Sequence, residues 1–375
     1  MASGRIPAQY DHFRPPKCLF WKKRPLNIER SVIQKNREGS DRIPLRLASE
    51  IHKISKNILN KQDLSKTNLF LNINNNKNKL CLFDIGGAGG LQTRWKLFEK
   101  NIRAIFFEPD QRSFLELKNS GLEVIDKALW SETTQKEFYL TKKLQTSSMY
   151  VPNRAYLDLF PDSKRYDIVK TTKVEVTELD NLVDIHNQPH FLKLDIQGAE
   201  LEVLKGSVNT LKNVLGLEVE INFKEIYKKI PLANDVEKFL YSQGFVLNDF
   251  LTYFRWERSP QRIIDEDEII RFGEMIHGDA LFLRTPEKII EISKNLSNPI
   301  SLFENYVKIL FVYNKLDLII KLSKYISYED IKLLNLNLII SILEKNHKRL
   351  VFFNKKFLYF TRYFVSKDVL PHWKL

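Results

Sequence analysis

Two hydrophobic regimes follow one another along the chain. Between residues 80 and 284, short apolar runs end in glycine, proline or acidic residues and are separated by helix-length stretches. That alternation predicts strands and helices in turn, hence an α/β fold with a mainly parallel sheet and helices on both faces. The strand runs are 80–83, 103–107, 123–125, 137–140, 172–176, 191–194, 214–221, 245–250 and 280–283. Helices are predicted over 91–100, 199–211 and 236–243. No helical pattern separates the last two runs, and the segment between them is charged at Asp265, Glu266, Asp267 and Glu268. A final antiparallel strand reached by a long excursion accounts for that.

The flanks read differently. Residues 1–43 form an irregular arm, broken by Pro7, Pro15 and Pro16. Over 44–61, Leu47, Ile51, Ile54 and Ile58 recur at helical spacing and predict an amphipathic helix. The Asn/Lys-rich stretch 72–79 is a polar boundary. From Pro286, placed for a first helical position, the pattern is helical without strand punctuation. The expected division is therefore an arm over 1–79, an α/β domain over 80–285 and an all-α extension over 286–375. In the last predicted helix Lys348, Lys355 and Arg362 recur every seven residues, with Arg349 and Lys356 beside them. Val351, Phe352, Leu358, Tyr359 and Phe360 fill the rest. Such a helix suits packing on its own bundle with a solvated basic stripe, or peripheral contact with a membrane face.

Charge sharpens this division. The formal net charge of +13 comes from the ends: 17 basic against 6 acidic residues in 1–79, and 15 against 8 in 286–375. The middle, with 27 against 32, is mildly acidic. Basic flanks point to an anionic surface or partner, or to a solvated lysine-rich surface. Two cysteines, Cys18 and Cys81, give no disulfide framework and no Cys/His metal set. The N-terminal stretch has no apolar signal-peptide core, and no apolar run reaches membrane-spanning length. The expectation is a cytoplasmic protein, able at most to sit at the inner membrane face.

Candidate chemistry centres on 80–90, where the first strand run ends in Asp84 and a cluster of Gly86, Gly87, Gly89 and Gly90. A strand turning into a helix through glycines exposes backbone N–H groups with no Cβ in the way. A carboxylate inside that cradle repels a pyrophosphate but attracts a cation. This favours S-adenosylmethionine, with its ammonium and sulfonium, over a dinucleotide. The second strand run ends in Glu108, placed to accept hydrogen bonds from both ribose hydroxyls. Asp126, Lys127 and Ala128, at the end of the third strand, either face the adenine or form a surface turn.

The segment 191–206, Phe-Leu-Lys-Leu-Asp-Ile-Gln-Gly-Ala-Glu-Leu-Glu-Val-Leu-Lys-Gly, resembles the signature of FkbM-family, class I S-adenosylmethionine-dependent methyltransferases. Segments 84–90, 107–110, 147–153, 176–180, 217–220, 244–245 and 278–282 resemble the family's other motifs in order, with Gly89 an additional glycine in the first. The resemblance covers about 80–284 and implies a Rossmann-like domain: a mostly parallel seven-stranded sheet with an antiparallel last strand. It implies methylation of a hydroxyl on a sugar, glycan, glycolipid or other small-molecule natural product.

In that frame Asp195, at the end of the signature strand, is the candidate general base or hydroxyl-orienting group, or alternatively a helix cap. Glu218 and Glu220 share one face of a strand and are candidate acceptor contacts. With Asp195 they also form a possible oxygen site for magnesium, although no metal ligand is assigned. Ser148, Tyr150 and Asn153 are candidate acceptor-pocket residues. His186 and His190 read as loop or core histidines, and Lys193 as a structural or substrate contact. Three other readings stay open. A nucleic-acid methyltransferase suits the basic flanks, but the Asn/Asp-Pro-Pro-aromatic tetrapeptide is missing, so no nucleic acid is expected. A nicotinamide oxidoreductase is disfavoured by Asp84. A non-catalytic docking module on the same fold is the third. Oligomeric state is not readable.

Overall fold

The computed structural model describes residues 79–348, apart from 88, 97, 185–186, 259–272 and 346–347. The predicted arm, the predicted helix over 44–61, His186 and the aromatic and basic stripe beyond Lys348 lie outside the described residues.

Among the described residues the strands are β1 (Leu80–Ile85), β2 (Ile102–Phe107), β3 (Glu123–Ile125), β4 (Ala128–Leu129), β5 (Thr134–Thr141), β6 (Ile168–Thr177), β7 (Phe191–Leu194), β8 (Gly216–Asn222), β9 (Val246–Trp256) and β10 (Glu274–Leu283). Seven of them form one sheet in the order β3-β2-β1-β7-β8-β10-β9. All pairings from β3 to β8 are parallel, and β10 runs antiparallel to both β8 and β9. This is the Rossmann-like arrangement with a reversed final strand inserted next to β8. Strand order switches direction at β1, whose neighbours are β2 and β7, and a crevice opens beyond the strand ends there. A smaller sheet, β4-β6-β5, follows β3 and forms a wall beside that crevice.

Every residue of β1 and β8 is buried, as expected for strands covered on both faces. Cys81, Phe83, Leu192, Leu194, Leu217 and Val219 fill the core on one face. Leu80, Leu82, Phe191, Leu281 and Leu283 fill the other. That second face changes character along the strands. Beyond its apolar rows, β1, β7 and β8 bring Asp84, Lys193 and Glu218 into register. The next row pairs Glu220 with Asp279 of β10. The sheet thus turns from oil to charge toward its C-terminal ends, where the crevice lies.

Helices α1 (Gln111–Asn119), α2 (Glu200–Lys205) and α3 (Ala233–Ser242) connect the strands. Asp110 caps α1 by accepting the N–H of Arg112 at 3.0 Å. Two predicted helices are shorter than their patterns. In 91–100 only one α turn, Thr93–Lys96, and a 3₁₀ turn, Glu99–Asn101, form. Trp95 and Phe98 dive into the core there, while Gln92 and Arg94 are drawn to Glu218. The helix predicted over 199–211 breaks at Gly206, where a Cβ would overlap the carbonyl of Trp130. It restarts because Asp180 accepts the N–H groups of Asn209 and Thr210 at 2.8 and 2.7 Å.

After β10 come α4 (Pro286–Ser293), α5 (Ile300–Val312), α6 (Leu316–Ser323) and α7 (Tyr328–Leu333), then a helix over 336–345. Their apolar faces join Leu80, Leu82, Trp95 and Phe191 in one core through Phe303, Tyr306, Leu310 and Ile319. Tyr313, capping α5, stacks on Phe191 at 5.4 Å and donates its hydroxyl to Glu218 at 2.6 Å. Tyr313→Phe keeps the ring contacts but leaves a buried carboxylate one donor short. It should cost about 1–3 kcal/mol in denaturant unfolding. An unchanged midpoint would show that Gln92 and Arg94 satisfy Glu218 by themselves.

Candidate active site

A cavity of about 620 Å³ occupies the crevice. Its donor-facing side is built by the tips of β1, β2 and β4, with Ile85, Gly86, Glu108, Ala128 and Leu129 in the lining. Gly86 has φ of +85°, and a Cβ there would overlap the backbone carbonyl of Asp195. Only glycine lets the first loop pass so close to the end of β7. Glu108 is buried, and its Oε1 accepts the N–H of Asp110 at 2.9 Å. Burial pushes its carboxyl up to about 7.

Across the cavity stands a polar network. Gln197 sits in the left-handed region at φ +58°, which costs energy for a residue with a Cβ. Four hydrogen bonds hold it there. Its Nε2 donates to Glu220 at 2.9 Å and to Asp195 at 3.3 Å. Its Oε1 accepts the hydroxyl of Tyr227 at 2.9 Å, and its carbonyl accepts Ser148 Oγ at 2.7 Å. Glu200 fixes the same loop from beneath by accepting the N–H groups of Ile196 and Gly198 at 2.9 and 3.0 Å. Burial nevertheless raises Glu200 to about 8.

The network carries several protonatable groups. Asp195 is the open one: its side chain is 40% exposed, against 8% for Glu220. Burial, then Asp195 and Asp279, hold Glu220 well above the usual carboxylate range. Burial also raises Asp279, and it lowers His277 to about 4. His277 Nδ1 lies 2.7 Å from Glu220 Oε1. Burial favours the uncharged form of each partner. Lys193 lies 3.2 Å from Asp84 and 3.6 Å from Asp195. Burial disfavours its ammonium, but Asp84, Asp195 and Glu218 more than reverse this and keep it charged. Asp84, raised to about 6 by burial, is ionised opposite it at neutral pH.

The structure gathers some of the sequence candidates and separates others. Gly86, Glu108, Ala128, Asp195 and Glu220 line the one cavity. Asp84 lies buried beneath it, held by Lys193. Gly87 packs against Phe106, and Gly90 closes a turn back to the Gly87 carbonyl at 3.0 Å; Gly89 has φ of +106°. Asp126 is exposed and accepts from Gln111 at 2.6 Å. Glu218 serves Tyr313, Arg94 and Gln92. Ser148, Tyr150 and Asn153 stand behind the wall: Ser148 on Gln197, Tyr150 against Trp130, Asn153 donating to the Glu225 carbonyl at 2.8 Å. Their neighbours Ser147 and Met149 line the cavity instead. His190 is a core residue that accepts the N–H of Cys81 at 2.9 Å. Sequence reasoning passed over Gln197, Arg165, Tyr166, Trp256 and His277. Gln197 sat inside the quoted signature and Asp279 inside a quoted motif, which were the available signals. Among the described residues, no group of three or more His, Cys, Asp or Glu is arranged to hold a metal ion.

The pattern described as "Methyltransferase FkbM domain" matches residues 55–247. The chain belongs to this family. Its methyl donor is S-adenosylmethionine. The FkbM domain has features that suit that donor: Gly86 lets the first loop pass against the end of β7 beside the cavity, and a buried carboxylate stands at the tip of β2. Glu108 would hold the ribose, Gly86 would border the path of the amino acid part, and Ala128 with Leu129 would form an apolar wall. Comparison with curated proteins gave no match. Among solved structures, the chain is similar to magnesium protoporphyrin IX methyltransferase from Synechocystis PCC 6803. That match has 11% identity, covers 60% of this chain and 79% of that one, and has a TM-score of 0.29. An uncharacterized protein from Listeria monocytogenes matches at 11% identity, covering 77% and 99%, with a TM-score of 0.29. A putative tRNA (m1A22) methyltransferase from Streptococcus pneumoniae matches at 10%, covering 75% and 97%, with a TM-score of 0.27. Among the described residues, no helix is long and apolar enough to cross a membrane.

Proposed function

We infer that this methyltransferase methylates a hydroxyl group of a sugar, glycan, glycolipid or related natural product. The observation that carries the reading is the cluster of Asp195, Glu220, Asp279 and His277 in the cavity that also holds Glu108. Bound S-adenosylmethionine supplies a methyl on a sulfonium, which departs as a neutral thioether. What the protein must add is alignment and a place for the hydroxyl proton. A sugar hydroxyl is a weak acid, so it gains from a carboxylate in hydrogen-bond reach as its oxygen bonds to carbon. Asp195 is the open carboxylate and takes that proton. Lys193 Nζ stands 3.6 Å from Asp195. Glu220, held well above the usual carboxylate range by burial, stands beside Asp195, and Gln197 fixes both carboxyls at their spacing.

The test is formation of S-adenosylhomocysteine by the full chain offered simple sugars, glycolipid head groups and, as comparison, RNA and DNA. Turnover on a hydroxylated sugar or glycolipid and none on nucleic acid is the expected result. Turnover on nucleic acid alone would refute the reading.

A further inference from the structure

One wall of the cavity carries cations that methyl transfer to a neutral sugar does not use. Arg165 lays its guanidinium over the ring of Trp256 at 4.7 Å and over that of Tyr166 at 5.2 Å. Trp256 meets His277 edge-on at 6.0 Å, and Tyr166 meets Tyr227, the residue holding Gln197, at 5.8 Å. A single layer of aromatic side chains therefore separates this cation from the acid cluster. Stacking fixes the guanidinium plane while leaving its edge for a planar or tetrahedral oxyanion. Its carboxylate partner is Asp162 at 3.0 Å, whose side chain is 75% exposed. Such a solvent-screened pair yields readily to a better-placed anion. The Nε of Arg165 is buried with no hydrogen-bond partner.

Lys143 doubles the positive charge. Its backbone N–H donates to the Arg165 carbonyl at 3.0 Å, which ties the two residues together where both line the cavity. Arg255 lines it as well. Asp195, Glu220 and Asp279 gather at one end and Lys143, Arg165 and Arg255 on the aromatic wall, while Glu108, Asp110 and Lys127 line the side nearest β2 and β3. An acceptor with a negative group is repelled from the first end and held at the second. Its orientation is thereby set.

We propose that the acceptor carries an oxyanion, carboxylate or phosphate, gripped by Arg165 and Lys143 while one of its hydroxyls rests against Asp195. The substrate class is an acidic sugar, a uronate or a sugar phosphate. This rests on the hydroxyl-methylating reading above.

The experiment is calorimetric titration of the full chain, loaded with S-adenosylhomocysteine, with methyl glucoside, glucuronate and glucose 6-phosphate. At least one charged probe should bind 10-fold or more tightly than methyl glucoside, and the order of the two charged probes tells carboxylate from phosphate. In Arg165→Gln, Lys143→Gln and the double variant the preference should shrink stepwise, below threefold in the last, with S-adenosylhomocysteine affinity unchanged. Lys143 is exposed, so its single variant remains informative if Arg165→Gln destabilises the fold. Equal binding of charged and neutral probes overturns the proposal. So does absence of binding by both charged probes while S-adenosylhomocysteine binds, or a preference that survives in the variants. Loss of S-adenosylhomocysteine binding in the variants also overturns it, by assigning these cations to the donor's carboxylate. Charged probes that bind selectively but are never methylated leave the anion site standing and count against hydroxyl transfer.

Discussion

Asp195→Asn should lower turnover by about 10²–10⁴-fold while leaving S-adenosylhomocysteine affinity within about twofold. Asparagine preserves the shape at the end of β7 and can still meet Gln197, but it cannot take a proton. The donor-side contacts at Gly86, Glu108 and Ala128 come from other strands and are untouched. The other carboxyls of the cluster are poor substitutes. Burial and its acidic neighbours hold Glu220 well above the usual carboxylate range, and Asp279 is raised by burial and accepts from Thr252. Single-turnover assays with S-adenosylhomocysteine quantification, run beside calorimetry, separate the two effects. Turnover within twofold of wild type would remove Asp195 from the chemistry. A matching loss of donor affinity would make it a donor contact.

Glu108→Gln should weaken S-adenosylhomocysteine by about 10–100-fold, the loss expected when a charged acceptor of ribose hydroxyls becomes neutral. The pH dependence follows from the same group. In the unliganded protein Glu108 titrates near 7, and its ionised form is the better acceptor for two hydroxyl donors. Affinity should be level above about pH 8 and fall as pH drops through 7, with proton release on binding in that window. Glu108→Gln should flatten the profile. Affinity rises with pH because the hydroxyls favour the ionised form, whereas the raised pKa itself makes the unliganded fold lose stability as pH climbs through 7. A wild-type profile level from pH 6 to 8 would show that the donor does not meet this carboxylate.

Much of the frame was legible because fully buried strands read as uninterrupted apolar runs ended by glycine or an acid. The run 191–194 and its terminal Asp195 came out with their observed bounds, as did 123–125. The antiparallel β10 was inferred from the missing helix before it. What failed were features fixed by distant partners. The pattern in 91–100 is helical, but Glu218 and the core compete for Gln92, Arg94, Trp95 and Phe98. Gly206 looked tolerable inside a helix until Trp130 arrived against it from the other sheet. At the site, the candidates Glu108, Asp195 and Glu220 were drawn to one cavity by topology. Those on the connecting loop 147–153 were not, because an irregular loop has no period to say which side faces inward. Ser147 and Met149 line the cavity while Ser148 and Tyr150 do not. His277 and Arg165 were invisible for another reason: each acts through rings and carboxyls from segments far away in sequence.

The most direct test of the account is a crystal structure of the full chain grown with S-adenosylhomocysteine. The ribose hydroxyls should lie on Glu108, the adenine beside Ala128 and Leu129, and the sulfur should face Asp195 within the same cavity. A molecule bound elsewhere, or one in this cavity touching neither Glu108 nor the approach to Asp195, would contradict it.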